Sequence, residues 1–294
     1  RGLQSGCDPA PRPNSAKANT ITRKHYQINT ASGECGNRGK WLIILFRDNL
    51  IRCKVCGSLS RGRRVHRDAG KAYVFKILNI MRHYYSLRDI EKILELPAQT
   101  IWKYVNLVAV PEERTVAKII SKVSELRLID KLIENSMKEF KENPVVVLSK
   151  PGFLKLFSYV TEDFVGSAKV DLVVPISTAA IVLGSYVAAE LPSLVCPFTE
   201  NPPHDRKGYV VAYYNDNNET RFVALPKSCL REKTTALLVD VILEELDKLR
   251  NVVDVLSKNK IHVYGIVAVD SPDEVVGLVR GMGLKLMTLR RWHY

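Results

Sequence analysis

The sequence predicts an α/β protein: an N-terminal helical (winged) helix-turn-helix domain, followed by a parallel sheet flanked by helices. Three observations carry this expectation. Between residues 72 and 143 apolar side chains recur every three or four positions, the period of helices with one buried stripe. After Pro144 short β-rich runs alternate with helical ones, a pattern that packs as a parallel sheet covered by helices. The third observation is charge: residues 1–150 hold 28 Lys and Arg against 14 Asp and Glu, whereas residues 151–294 hold 16 against 17. The formal excess of +13 therefore belongs to the front half. A one-sided basic excess fits a polyanionic partner for that half, with a merely solvated basic surface as the alternative.

A chain of 294 residues with 46% hydrophobic and 26% charged residues has ordinary globular composition, which excludes wholesale disorder and fibrous repeats. The apolar run Trp41 to Phe46 is far short of the roughly 20 residues that cross a bilayer, so no membrane partner is expected. The first thirty residues lack a signal peptide's apolar stretch, which makes the cytoplasm the default compartment. Residues 1–40, rich in Ser, Asn, Pro, Gly and Ala without helix or strand periodicity, read as a disordered tail.

Residues 41–71 form a basic segment around Cys53-Lys54-Val55-Cys56-Gly57. Two thiolates on such a tight turn reach one tetrahedral ion, so Cys53 and Cys56 are candidate zinc ligands, with Cys35 and His66 nearby as further donors. Reduced structural thiols and redox chemistry are the other readings of the pair. Arg61, Arg63 and Arg64, close to Gly57 and Gly62, suit phosphate neutralisation.

The helical elements follow in order. Val74, Phe75, Leu78 and Met81 mark a helix from Ala72 to His83. Ser86 is a good N-cap for a second, with Leu87, Ile90, Ile93 and Leu94 inward and Leu96-Pro97 as the stop. A third runs from Ala98 to Val105, expected to bury Ile101, Trp102 and Val105 while Gln99, Thr100, Lys103 and Tyr104 face outward. A helix, a tight turn and a helix match a helix-turn-helix, whose outward side chains would contact double-stranded DNA; a small dimerisation unit is the bland alternative. A long amphipathic helix is expected from Glu112 to Phe140, with Val116, Ile119, Ile120, Val123, Leu126, Ile129, Leu132 and Ile133 on its apolar stripe, as the joint between the domains, able to pair with its copy in a homodimer, with plain core packing as the alternative.

In residues 144–294 strands are expected at Val170–Pro175, Leu194–Cys196, Ala236–Ile242 and Ile261–Val269, and helices at Ala179–Leu191, Leu243–Lys258 and Asp273–Met282. Tyr209–Tyr214 and Arg221–Leu225 read as a hairpin around a polar turn. Cys196 and Cys229 read as buried core thiols.

Val170-Asp171-Leu172-Val173-Val174-Pro175-Ile176-Ser177-Thr178 and Ala236-Leu237-Leu238-Val239-Asp240-Val241-Ile242 resemble the type I phosphoribosyltransferases, the orotate and purine enzymes among them. With the helix-turn-helix in front, the chain from about Leu42 resembles archaeal regulators that fuse the two domains. The resemblance implies two acids at a strand end that hold the ribose of phosphoribosyl pyrophosphate, then a Gly- and Thr-rich loop that cradles the 5′-phosphate. Here only Asp240 matches the acids, Val241 replaces the second, and Leu243-Glu244-Glu245-Leu246-Asp247 stands where the cradle belongs. Carboxylates oppose a dianionic phosphate, so no catalytic residue and no catalytic cofactor are expected. Ser177, Thr178 and Asp240 remain candidate ligand-binding residues for a nucleotide or phosphorylated small-molecule effector, Ser177 and Thr178 reading equally well as a simple N-cap. Residues 197–207 stand where the family has a mobile hood. The function expected is DNA-binding transcriptional regulation; an active purine or pyrimidine phosphoribosyltransferase is the alternative.

Overall fold

The computed structural model describes the strands β1 (Thr30–Ala31), β2 (Trp41–Phe46) and β3 (Asn49–Lys54) by their backbone, then residues 63–292 except 200–201, 203–206 and 217–218, with side chains from residue 70 except that of 216. The chain divides into two units, Arg1–Arg64 and Val65–Tyr294. In the first unit β1, β2 and β3 form an antiparallel sheet, with Trp41 opposite Lys54 and Phe46 opposite Asn49. The segment expected as an unstructured tail thus supplies one two-residue strand.

The helix α1 (Arg63–Met81), in the second unit from Val65 on, buries Val74, Ile77, Leu78 and Met81, a stripe of three- and four-residue steps. It begins nine residues before the expected start. The helix α2 (Leu87–Leu94) is capped by Ser86, whose Oγ accepts from the Asp89 amide at 3.2 Å and donates to the Asp89 carboxylate at 2.6 Å. It ends at Glu95, in the left-handed region at φ 53°. That strained residue is held by the next part of the chain: Lys122 Nζ lies 2.6 Å from its carboxylate, and Lys118 Nζ donates to its carbonyl at 2.8 Å. Pro97 then starts α3 (Ala98–Val105).

The long helix expected from Glu112 to Phe140 is two helices, α4 (Glu113–Glu125) and α5 (Leu128–Glu142), parted at Arg127 with φ 48°. The reason lies in the phase of the apolar stripe. Val116, Ile119 and Val123 are buried, the next buried residue is Leu128, and a five-residue step rotates off the face. Leu126, which seemed to bridge the gap, is exposed. Two helices follow that the periodicity did not predict, α6 (Pro144–Leu148) and α7 (Pro151–Val165). Between α3 and the sheet there is no strand among the described residues, so the expected wing is not found there.

The sheet is built from β4 (Leu172–Pro175), α8 (Ala180–Glu190), β5 (Leu194–Val195), the hairpin β6 (Tyr209–Asp216) and β7 (Glu219–Pro226), β8 (Thr235–Ile242), α9 (Leu246–Lys258), β9 (His262–Asp270), α10 (Asp273–Gly281) and β10 (Lys285–Thr288). Five parallel strands lie in the order β10-β9-β8-β4-β5, and β6 and β7 pair separately as an antiparallel ribbon. The expected strands and helices recur with ends shifted by up to three residues; β10 was not foreseen. The largest shift is in α9, which starts at Leu246 rather than Leu243. Leu243 is buried and its amide bonds the Asp270 carbonyl, extending the strand pairing beyond β8.

Side chains on a strand alternate between faces. Leu237, Val239 and Val241 join a core made with α1, α2, α5, α7 and α8, whereas Ala236 and Leu238 join one made with α9, α10 and the β6–β7 ribbon. The helices of residues 74–165 therefore share one continuous core with a face of the sheet, and the boundary drawn at 143/144 coincides with no break in packing. Gly184 lets α8 lie directly on β4, since a Cβ there would stand 2.7 Å from Pro175 Cγ.

Candidate functional site

The chain enters the sheet at β4, runs outward to the edge strand β5, and returns on the other side of β4 to the central strand β8. The connections after β4 and β8 thus leave in opposite directions and open a crevice at the carboxyl ends of these strands, the usual ligand position of an open parallel sheet. Pro175 of β4 pairs with Val239 of β8, which brings the residues just beyond, Ser177 and Asp240, side by side. Ser177 Oγ donates to Asp240 Oδ1 at 2.5 Å, and the Val241 amide donates to the same oxygen at 2.8 Å. Ser177 also accepts from the Ala180 amide at 3.3 Å, which tethers it to the first turn of α8. Thr178 is exposed and lies outside this pair.

Asp240 is 7% exposed, on the strand face that packs against α9 and the hairpin. Burial pushes its carboxyl up to about 6, against the pull of the Ser177 hydroxyl, the Val241 amide and the charge of Lys248, while Glu245 adds to the rise. Lys248, one turn into α9, was not singled out from the sequence. It is equally buried, with Nζ 5.2 Å from the centroid of the Phe198 ring, 5.5 Å from that of Tyr214, and 3.4 Å from the Glu245 carboxylate. A lone Lys in an otherwise apolar helix phase, Leu249, Val252 and Leu256, is the only signal the sequence carries for it. At the neighbouring strand end Asp270 accepts from the Ser271 amide at 2.8 Å and faces Arg290 at 3.4 Å.

The connection from β8 to α9 carries Glu244 and Glu245, and Asp247 follows in the first helical turn, 3.7 Å from Arg250. An aspartate, a buried lysine and two further carboxylates can bind a polar ligand by hydrogen bonds and charge. They offer little to a phosphate dianion.

On the helical side, Gln99, Trp102 and Lys103 form the exposed face of α3, and Thr100 is half-buried. The expected burial of Trp102 and exposure of Tyr104 are reversed: Trp102 is 48% exposed and Tyr104 8%. Ile101 and Tyr104 are three apart and share the inner stripe, which Trp102, about 100° around the helix from Ile101, cannot join. Tyr104 is thereby withdrawn from the outward set.

Arg61 and Cys56 lie outside the described residues, as do Cys35 and the hood residues 200–201 and 203–206; Cys53, Arg63, Arg64 and His66 have described backbones but not side chains. Among the described residues no group of three or more His, Cys, Asp or Glu could hold a metal ion, and no helix is long and apolar enough to cross a membrane. Cys196 is buried, and burial beside the Cys229 thiol pushes its own thiol up, as a core cysteine requires.

By sequence the chain matches no protein-family model and no curated protein. By structure it is similar over part of its length to adenine phosphoribosyltransferases. With the enzyme from Thermoanaerobacter pseudethanolicus it shares 17% identity over 49% of this chain and 84% of that one, at a TM-score of 0.43. The enzyme from Rhodothermus marinus gives 15% identity over 47% and 79%, at 0.41. The Giardia lamblia enzyme complexed with 9-deazaadenine gives 16% over 49% and 82%, at 0.43.

Proposed function

We propose that the chain is a DNA-binding transcriptional regulator whose sheet is a phosphoribosyltransferase-like module serving as effector sensor and dimerisation platform, not as a catalyst. One observation carries the reading: α3 follows α2 after a tight, ion-paired turn and presents Gln99, Trp102 and Lys103 to solvent in the basic half of the chain. A short helix so displayed fits a major groove, with Gln99 suited to a base edge and Lys103 to a phosphate. The non-catalytic part rests on the crevice, where Asp240 Oδ1 is already bonded by Ser177 and Val241 and carboxylates crowd the place of a phosphate cradle. A zinc ion on Cys53 and Cys56, and pairing of two copies, belong to the same reading.

Anisotropy of labelled duplexes with the full chain tests it. Affinity should fall steeply with added salt, Lys103→Ala should weaken binding by about 1 kcal/mol, and Gln99→Ala should alter sequence preference. Binding indifferent to salt would contradict the proposal. For the crevice, calorimetry should register weak or no binding of phosphoribosyl pyrophosphate with magnesium, and no turnover of any nucleobase. Tight magnesium-dependent binding, with pyrophosphate released on adding a base, would establish the enzyme instead.

A further inference from the structure

Away from the crevice, a cavity of about 460 Å³ opens between α1, the end of α3, α7 and α8. Its walls are aromatic, with Phe75 from α1, Tyr104 from α3, Tyr159 from α7 and Tyr186 from α8. Two lysines and two glutamates line it, but both glutamates pair with the same lysine. Lys76 is fully engaged, 2.5 Å from Glu162 and 3.3 Å from Glu190. Lys155, also on the wall, makes no ion pair among the described residues and donates only to the neutral Asn79 Oδ1 at 2.8 Å. Arg82 and His83 stand close enough to bear on its charge, with Glu190 acting the opposite way. On the same wall Ser158, 2% exposed, has an Oγ without a hydrogen-bond partner among the described residues. A buried hydroxyl left unbonded costs free energy, and a cation facing only an amide has unused capacity.

We propose that this cavity between α1, α3, α7 and α8 is a binding site for a small aromatic monocarboxylate. Its carboxylate pairs with Lys155, and its ring lies among Phe75, Tyr104 and Tyr186. The Ser158 hydroxyl supplies a further hydrogen bond. Lys76 and Lys155 on the wall balance Glu162 and Glu190, and Arg82 nearby adds one positive charge; a single carboxylate matches that excess, whereas a phosphate dianion would exceed it and face both glutamates. The volume suits a ligand of one or two rings. Tyr104, Val105 and Leu107 line the cavity from the end of α3, so an occupant touches that helix on the side away from Gln99 and Lys103. The site stands independently of the crevice and of DNA.

Titration calorimetry of the full chain with indole-3-acetate and 4-hydroxyphenylacetate tests it, each against its neutral carboxamide. At least one acid should bind with Kd below about 1 mM and about tenfold more tightly than its amide. Lys155→Met should abolish that preference, and Ser158→Ala should weaken binding severalfold, with circular dichroism confirming that each variant is folded. If Lys155→Met does not fold, the Ser158→Ala titration and the acid-to-amide ratio decide. No saturable binding of either acid, equal binding of acid and amide, or a folded Lys155→Met variant that keeps the preference would overturn the proposal.

Discussion

Asp240→Asn should make the protein more stable at neutral pH, by up to about 3 kcal/mol. Buried at the end of β8, Asp240 titrates in the folded chain at about 6, above the ordinary 3.8. The folded state thus holds the proton more tightly than the unfolded chain does. The stability this lends is fully present below pH 3.8 and is lost as pH rises through 6, after which the buried charge is a net cost. A rise from 3.8 to about 6 corresponds to about 3 kcal/mol. Asparagine has the same shape, carries no charge, and keeps an oxygen for the Ser177 hydroxyl and the Val241 amide. Urea unfolding at pH 8 and pH 4 checks the expectation: the variant should be the more stable at pH 8, and the gap should close toward pH 4. A gap independent of pH, or a less stable variant at pH 8, would contradict the account.

Phe157→Ala should lower the unfolding free energy by about 3–5 kcal/mol, the usual cost of emptying a fully buried aromatic site. Phe157 lies in α7, 6.5 Å from the ring of Phe153, which in turn lies 6.4 Å from Phe140 of α5. All three belong to the core that holds the helices of residues 74–165 against β4, β8 and β9. Because that core is continuous, the loss should move one cooperative transition, seen alike by far-UV circular dichroism and by tryptophan fluorescence. Two separated transitions, with the sheet unaffected, would show that the helical and sheet segments are held together by less than this packing implies.

What was legible in the sequence follows from how strongly each segment imposes a period. The helices α2 and α3 were found because Ser86 and Pro97 punctuate them, and β4, β8 and β9 because each is a short apolar run between polar residues. The helix α7 was missed because it buries Phe153, Leu154, Leu156, Phe157, Val160 and Thr161, and a helix enclosed on most sides shows no stripe. The split between α4 and α5 escaped because exposed Leu126 was counted as inward, and Trp102 was misplaced because its size outweighed its angle on the helix. In the crevice, Ser177 and Asp240, 63 positions apart, were both singled out because the segments that hold them resemble those of the phosphoribosyltransferases. Lys248 was not. Its burial depends on Phe198 and Tyr214 arriving from the loop after β5 and from the hairpin, a tertiary coincidence that no local pattern records.

The central claim, that this chain reads DNA through α3, is tested most directly by selecting binders to the full chain from a pool of random duplex DNA at physiological salt. The account predicts a recurrent sequence motif, retained by the protein and lost or changed when Gln99 and Lys103 are both replaced by alanine. Recovery of unselected sequence, or a motif that the double variant binds as well as the native chain does, would contradict it.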